Sequence, residues 1–496
     1  MSLLGDKLKY HIEESGLTVY MLSKLSGVNR TSIVRTLSSN RLPERENIEK
    51  LLPYLRLTPS EKEEIIQSYE IMSCGENVYY RREYVLKIIT TLFSTTVHDT
   101  NARLEGILGS KSSVQINSLD AGCYCMNKNE SLRLLSMLLR SVKDLDEICI
   151  FSPFNNDYIQ NVLAMASSIT TPDMHIRHLV HFVKNPDIDG NINYNLNILS
   201  NILPYAFSDQ LDYSAGYLYI SHPISVDSMV PFPFYLLFGK YTVLLSADFE
   251  NSFFTSSANI TGYHRAEFEK TWLLSDMLLN SDTSLDAFIE RYKNVSSPRA
   301  RRFTIDIQPP LFDLKDISLL EKYAADDSLA FQEYMEILEK KIKIQQDDIQ
   351  PVMLFSKEGL DYFANEGLVS TIPYKYTCPI DITDRIFLLE KLKMACMHDK
   401  KIIRMINPAR IPISRNTLFS VEKDKRLILV NRDTSAKIYK QIFINEPTLV
   451  SAVTDFFEYV LKHPVVYSDL IYSKDTTISV IDEYISHLCD LNTQDT

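Results

Sequence analysis

Between residues 15 and 43 the chain reads SGLTVYMLSKLSGVNRTSIVRTLSSNRLP, and the punctuation of that stretch leaves few folds open. Gly16 ends one helix. Thr18 caps the next, whose apolar side carries Leu22 and Leu25. Gly27 makes a tight turn, because glycine accepts a positive φ without a Cβ clash. Asn29 then caps a third helix through its side-chain oxygen. That helix carries Arg30, Thr31, Ser32 and Arg35 on its polar side, with Val28, Ile33 and Leu37 facing inward.

With Gly16, Leu17, Thr18, Leu22, Ser26, Gly27, Val28, Arg30, Ile33, Arg35, Arg41 and Pro43 in place without a gap, residues 5 to 58 resemble the helix-turn-helix of the lambda-repressor/Cro-like, or XRE-type, regulators. The resemblance implies that the third helix lies in a major groove, with its first residues at base edges. Carried over by position, Arg30, Thr31 and Arg35 read bases and Val34 makes an apolar contact. Thr18, Asn29, Ser32 and Arg41 hold phosphates and fix register. An arginine fork can donate to guanine O6 and N7 together, worth roughly 1–3 kcal/mol of discrimination.

Three positions depart from the family pattern. Val19 replaces the usual Gln and loses its backbone contact. Thr36 stands where the family has an inward Ile, so Leu37 is expected to take over that core position. Pro53 interrupts the fourth helix, where Ile48, Leu51, Leu52 and Leu55 keep helical spacing, so a kink is expected. Residues 1 to 58 hold nine Lys or Arg against six Asp or Glu, whereas the whole chain carries −12. A basic module on an acidic body is the split expected when one part meets phosphate.

At 496 residues the length suggests about three domains. No apolar run reaches the roughly 18–20 residues that span a bilayer, so no membrane partner is expected. Seven scattered cysteines without a Cys-x-x-Cys fit a reducing cytoplasm.

Patterning beyond the head predicts a multidomain α plus α/β protein. After the head (1–58) come a helical connector with a possible dimer seam (59–140), an α/β sensor-like domain (141–290), a helical bridge (291–375) and a C-terminal α/β domain (376–496). In the connector, Ser60 and Glu63 form a capping box after Pro59. Strands are expected at 147–152, 175–183, 216–221, 235–238 and 241–247, and in the tail at 401–406 with a hairpin across Lys423-Asp424-Lys425. That hairpin resembles the one around Gly239-Lys240, which suggests two related lobes.

The middle region also resembles the phospholipase D-like fold, through a strand running into Ser152-Pro153-Phe154 and through Ser256-Ser257-Ala258-Asn259-Ile260-Thr261 followed by Phe268-Glu269. Lys240 is kept, but Phe238 stands for the family's His and Leu245 for its Asp. Without an imidazole nucleophile the phosphohistidine route cannot run. His175, His178 and His181 cannot converge on a metal from one strand, since successive side chains alternate faces. Tyr217, Tyr219 and Tyr235, with Lys240, are candidates for lining an effector pocket. Pro298-Arg299-Ala300-Arg301-Arg302 reads as a solvated basic loop.

No G-x-G-x-x-G, P-loop, H-E-x-x-H or G-x-S-x-G is present, so neither cofactor nor enzyme activity is expected. The expectation is a cytoplasmic transcriptional regulator: a homodimer whose heads bind a double-stranded DNA operator and whose body senses a small-molecule or protein effector. The alternatives are an enzyme acting on nucleotide or phosphodiester substrates with an autoregulatory head, and a protein-interaction scaffold.

Overall fold

The computed structural model describes residues 3–38, 42–94, 119–142, 145–153, 157–169, 174–184, 193–207, 211–221, 230–282, 300–312, 316–324, 349–369, 377–398, 400–413, 417–433, 438–462 and 470–494, with single positions between 332 and 343. The protein is multidomain, α plus α/β. It divides into two compact units, 1–84 and 85–496.

The first unit is all α. Helices α1 (Leu3–Glu14), α2 (Val19–Ser26), α3 (Arg30–Ser38) and α4 (Arg45–Leu51) are followed by a 3-10 turn, Leu52–Tyr54, and by α5 (Pro59–Cys74). Their apolar faces meet in one core of Leu4, Leu8, Ile12, Leu22, Val28, Ile33, Ile48, Leu51, Leu52, Leu55, Ile65 and Tyr69. At Pro53 the fourth helix ends and tightens into the 3-10 turn, which keeps Leu52 and Leu55 buried without a kinked continuation. The capping box of α5 lies two residues before the expected one. Thr58 is the cap and Glu61 its partner, with the Thr58 amide donating to Glu61 Oε2 at 2.8 Å. Pro59 occupies the first helical position, where a missing N–H costs nothing. Helix α5 belongs to this core through Ile65 and Tyr69, and Glu70 of α5 pairs with Arg45 of α4.

After α6 (Glu76–Ser94), the second unit repeats one topology. In its first lobe, β2 (Glu147–Phe151), β3 (His175–Val183) and β4 (Asp212–Ile220) run parallel. The other side of β2 carries an antiparallel meander, β5 (Phe234–Phe238), β6 (Tyr241–Leu245) and β7 (Ser252–Thr255). In the second lobe β9 (Arg302–Ile305), β10 (Val352–Ser356) and β11 (Ile402–Ile406) are parallel. The meander β12 (Thr417–Glu422), β13 (Arg426–Asp433) and β14 (Ile438–Ile444) then runs from β9.

Each meander leads into a helix, 258–274 in the first lobe and 447–462 in the second. The hairpins noted at Gly239-Lys240 and Lys423-Asp424-Lys425 are the equivalent first turns of the two meanders. Strand β8 (Asp276–Asp282) stitches the lobes: Asp276, Met277 and Leu279 pair with β4, and Asn280, Ser281 and Asp282 pair with β14. The short edge strand β1 (Cys123–Cys125) pairs with β7.

Layers of helix cover the central strands, so β5 (FYLLF) is buried along its whole length, as strands covered on both faces must be. Helices α7 (Lys128–Ser141), α8 (Asp157–Ile169), α9 (Tyr194–Ala206) and α10 (Ala258–Leu274) belong to the first lobe. The second has α11 (Ile317–Lys322), α12 (Lys357–Glu366), α13 (Ile382–Met397), α14 (Pro447–Lys462) and α15 (Lys474–Gln494). Among the described residues no helix is long and apolar enough to cross a membrane. All seven cysteines are free thiols.

Candidate nucleic-acid interface

The α2–turn–α3 pair is fixed by local bonds that its sequence dictates. The Thr18 hydroxyl accepts the Met21 amide at 3.2 Å. Gly27, at φ 72°, donates its N–H to Ser23 O and closes α2. The Ser23 hydroxyl donates to Val28 O at 2.6 Å, and the Val28 amide donates to Ser26 Oγ at 3.2 Å, so the turn is held from both sides. Asn29 Oδ1 accepts the Thr31 amide at 2.8 Å and opens α3.

Ile33 and Thr36 of α3 are buried, while Arg30, Thr31, Val34 and Arg35 are exposed on the outer side. Ser32 is half-buried. Two expectations change here. Thr36 keeps the core position itself, because its hydroxyl is satisfied by Ser32 O at 2.9 Å; Leu37 is only half-buried beside it. Leu25 is 52% exposed, so Leu22 is the buried anchor of α2 in the core. Val19 is half-buried and packs on that core. Arg41 lies outside the described residues.

From residue 15 to residue 43 the chain has four basic residues and no acidic one. Over residues 1–84 the count is twelve basic against twelve acidic. The positive field is therefore local to the helix pair, because the acids of α1, α4 and α5 balance the rest. Among the described residues Arg30 forms no ion pair, and α3 presents its N-terminal end beside it, where helix amides favour anions.

The aromatic candidates of the body do not converge. Tyr217 is buried against Phe182 on one face of the first sheet, with Tyr219 beside it. The Tyr219 hydroxyl donates to Glu446 Oε1 at 2.6 Å. Tyr235 occupies the opposite face, stacked on Phe151 in the cluster with Leu179 and Phe268. Lys240 sits in the β5–β6 turn, over the Tyr241 ring. The phospholipase D-like positions Phe238 and Leu245 are both fully buried strand residues. Around Ser256-Ser257 the Ser256 hydroxyl donates to Asp120 at 2.5 Å. Glu269 pairs with Arg177, whose guanidinium lies over Phe268 and Trp272.

The three histidines of β3 separate, as alternation requires. His175 meets Asp212 at 2.7 Å. His178 is buried between Tyr213 Oη at 2.7 Å and Ser152 O at 2.9 Å, and burial lowers its pKa to about 3. His181 packs edge-on against Phe151 in the α10-facing layer, and burial lowers its pKa to about 4. Cys125 is buried as well, which pushes its thiol up to about 12 and makes it a packing residue. The basic loop is partly a strand: Arg302 is buried on β9 and paired at 2.5 Å with Glu422 of β12. Sequence reasoning missed that pair because its halves lie 120 residues apart.

The geometry is that of a small all-α head with a tight turn between α2 and α3, and an α/β body whose two lobes repeat one strand topology. No family model and no curated protein matches the chain. Among solved structures, TrmBL2, an archaeal chromatin protein described as showing a novel mode of DNA binding, is similar over 56% of this chain and 94% of its own, at 12% identity and a TM-score of 0.22. The phosphatidylserine synthase of Haemophilus influenzae Rd KW20 is similar over 80% of this chain and 99% of its own, at 9% identity and a TM-score of 0.21.

Proposed function

We propose that the protein is a sequence-specific DNA-binding regulator in which α3 enters the major groove of an operator. One observation carries this reading: Arg30, Thr31, Val34 and Arg35 are exposed together on a helix whose turn and caps are fixed, inside an acid-free basic segment. Arg30 and Arg35 suit guanine edges, Thr31 suits several bases, and Val34 suits a thymine methyl. Thr18 and Asn29 sit at the helix N-termini, where amides and side chains hold phosphates. Two heads on a homodimer would engage two half-sites, and an effector acting on the body would bias their spacing. The body is read as a binding module without turnover, because the positions matching a phosphohistidine centre are the buried Phe238 and Leu245.

The test is fluorescence anisotropy of the full chain on duplex DNA over a salt series. Binding that weakens with a log–log slope of several units supports the reading, since each neutralised phosphate contributes about −0.9. Salt-independent binding, or none, rejects it.

A further inference from the structure

Helix α10 packs on the first sheet through Phe268 and Trp272. Away from that contact it carries the exposed Ile260, Tyr263, Lys270 and Leu274 and the half-buried Glu267. Their spacing alternates three and four, which places them on one stripe along the flank of the helix, about 120° round from Phe268. Tyr263 is 64% exposed, Leu273 83% and Leu274 73%, and Met277 at the start of β8 extends the apolar end. Two adjacent leucines that open to water are unusual for a body with such dense cores, and clustered exposure of this kind marks a contact surface.

The order of residues along the stripe says what covers it. An apolar residue stands at each end, and between them lie one acid and one base, Glu267 and Lys270, which approach to 3.7 Å on the helix surface and keep polar atoms free to face a second copy. Against a second copy of the same helix running antiparallel, Glu267 of each copy falls opposite Lys270 of the other, and Tyr263 falls opposite Leu274. Both pairs occur twice about the twofold axis, as an isologous contact requires. A parallel arrangement would set Glu267 against Glu267. The stripe is self-complementary in one orientation only.

We infer that this stripe of α10 is a homodimer contact, occupied by α10 of a second copy running antiparallel. A helix of 17 residues is about 25 Å long. One such pair is small beside the roughly 800 Å² per partner of stable complexes, so the dimer dissociates on dilution. The contact lies within the body and does not depend on the DNA-binding reading; its test uses no DNA, so either can fail alone.

The experiment is sedimentation equilibrium of the full chain between about 1 and about 100 µM. The expected result is a mass rising from 57.2 kDa towards twice that value. Leu274→Glu should weaken association by about tenfold or more, and Glu267→Lys by about tenfold. Adding Lys270→Glu to Glu267→Lys should restore the parent constant within about twofold, because the swapped charges again meet across the axis. A parent that stays monomeric throughout overturns the inference. So does a dimer indifferent to Leu274→Glu, or a double swap that fails to restore association while each variant keeps the parent's circular dichroism.

Discussion

Gly27 offers the cleanest probe of the turn that aims α3. Its φ of 72° is left-handed, and a Cβ built there meets nothing within 4 Å. Gly27→Ala therefore adds no clash, and its whole effect is conformational. A left-handed L-residue costs roughly 1–2 kcal/mol. Asparagine tolerates that region, so Gly27→Asn should cost only a few tenths of a kcal/mol. Hydrogen exchange by mass spectrometry on the full chain reads this directly. Peptides covering α2 and α3 should exchange roughly 5–30-fold faster in Gly27→Ala and nearly as the parent in Gly27→Asn. Peptides from β2 and β3 should not change. The folded head remains the dominant species in both variants, so DNA affinity should change by less than about twofold. Unchanged protection in Gly27→Ala, or an equal loss in both variants, would refute the account of the turn.

Other consequences follow from the body. Gly359 in α12 stands where an added Cβ would lie 1.9 Å from Ile307 O, a backbone atom that cannot swing away, so Gly359→Ala should cost about 3 kcal/mol or more and lower the urea midpoint. Burial works against the charge of Glu422, yet Arg302 and Arg426 hold its pKa below the ordinary value; Glu422→Gln should cost about 3–5 kcal/mol in the same assay, because it removes the counter-charge of a buried arginine. His178 and His181 have folded pKa values of about 3 and about 4, below the ordinary 6.5. The unfolded chain thus binds protons first on acidification. Their contribution is complete above pH 6.5 and falls by up to about 1.4 kcal/mol per pH unit per histidine as pH drops towards 4. Urea titrations at stepped pH should show His181→Leu with a shallower acid limb than the parent.

The head was legible because its determinants are local. Gly16, Thr18, Gly27 and Asn29 each act within a few residues, and the structure gives each the expected backbone role. Strand β3 was legible because Ile176, Val180, Phe182 and Val183 concentrate β-branched and aromatic residues in one short segment. What was missed is non-local. Strands β1, β9 and β10 are three to five residues long, and their partners lie far away in the chain. Arg301 and Arg302 read as solvent-loving until Glu422 arrives from the second meander and Glu458 from α14. Thr36 looked like a defect in the core because its solution, a bond to Ser32 O, replaces hydrophobicity with satisfied polarity. The sorting of Tyr217 and Tyr235 to opposite faces depends on sheet register, which composition does not encode. The repeated topology showed in the sequence only as two similar turns, at Gly239-Lys240 and Lys423-Asp424-Lys425.

The most direct measurement is selection of duplexes from a randomised pool by the full chain, followed by affinities for the enriched site and its single-base variants. The account predicts an enriched motif. It also predicts that Arg30→Ala or Arg35→Ala loses roughly 10–100-fold of discrimination at one base pair while binding to random duplex changes little. A pool that yields no motif, or variants that discriminate as the parent does, would contradict the claim that α3 reads DNA.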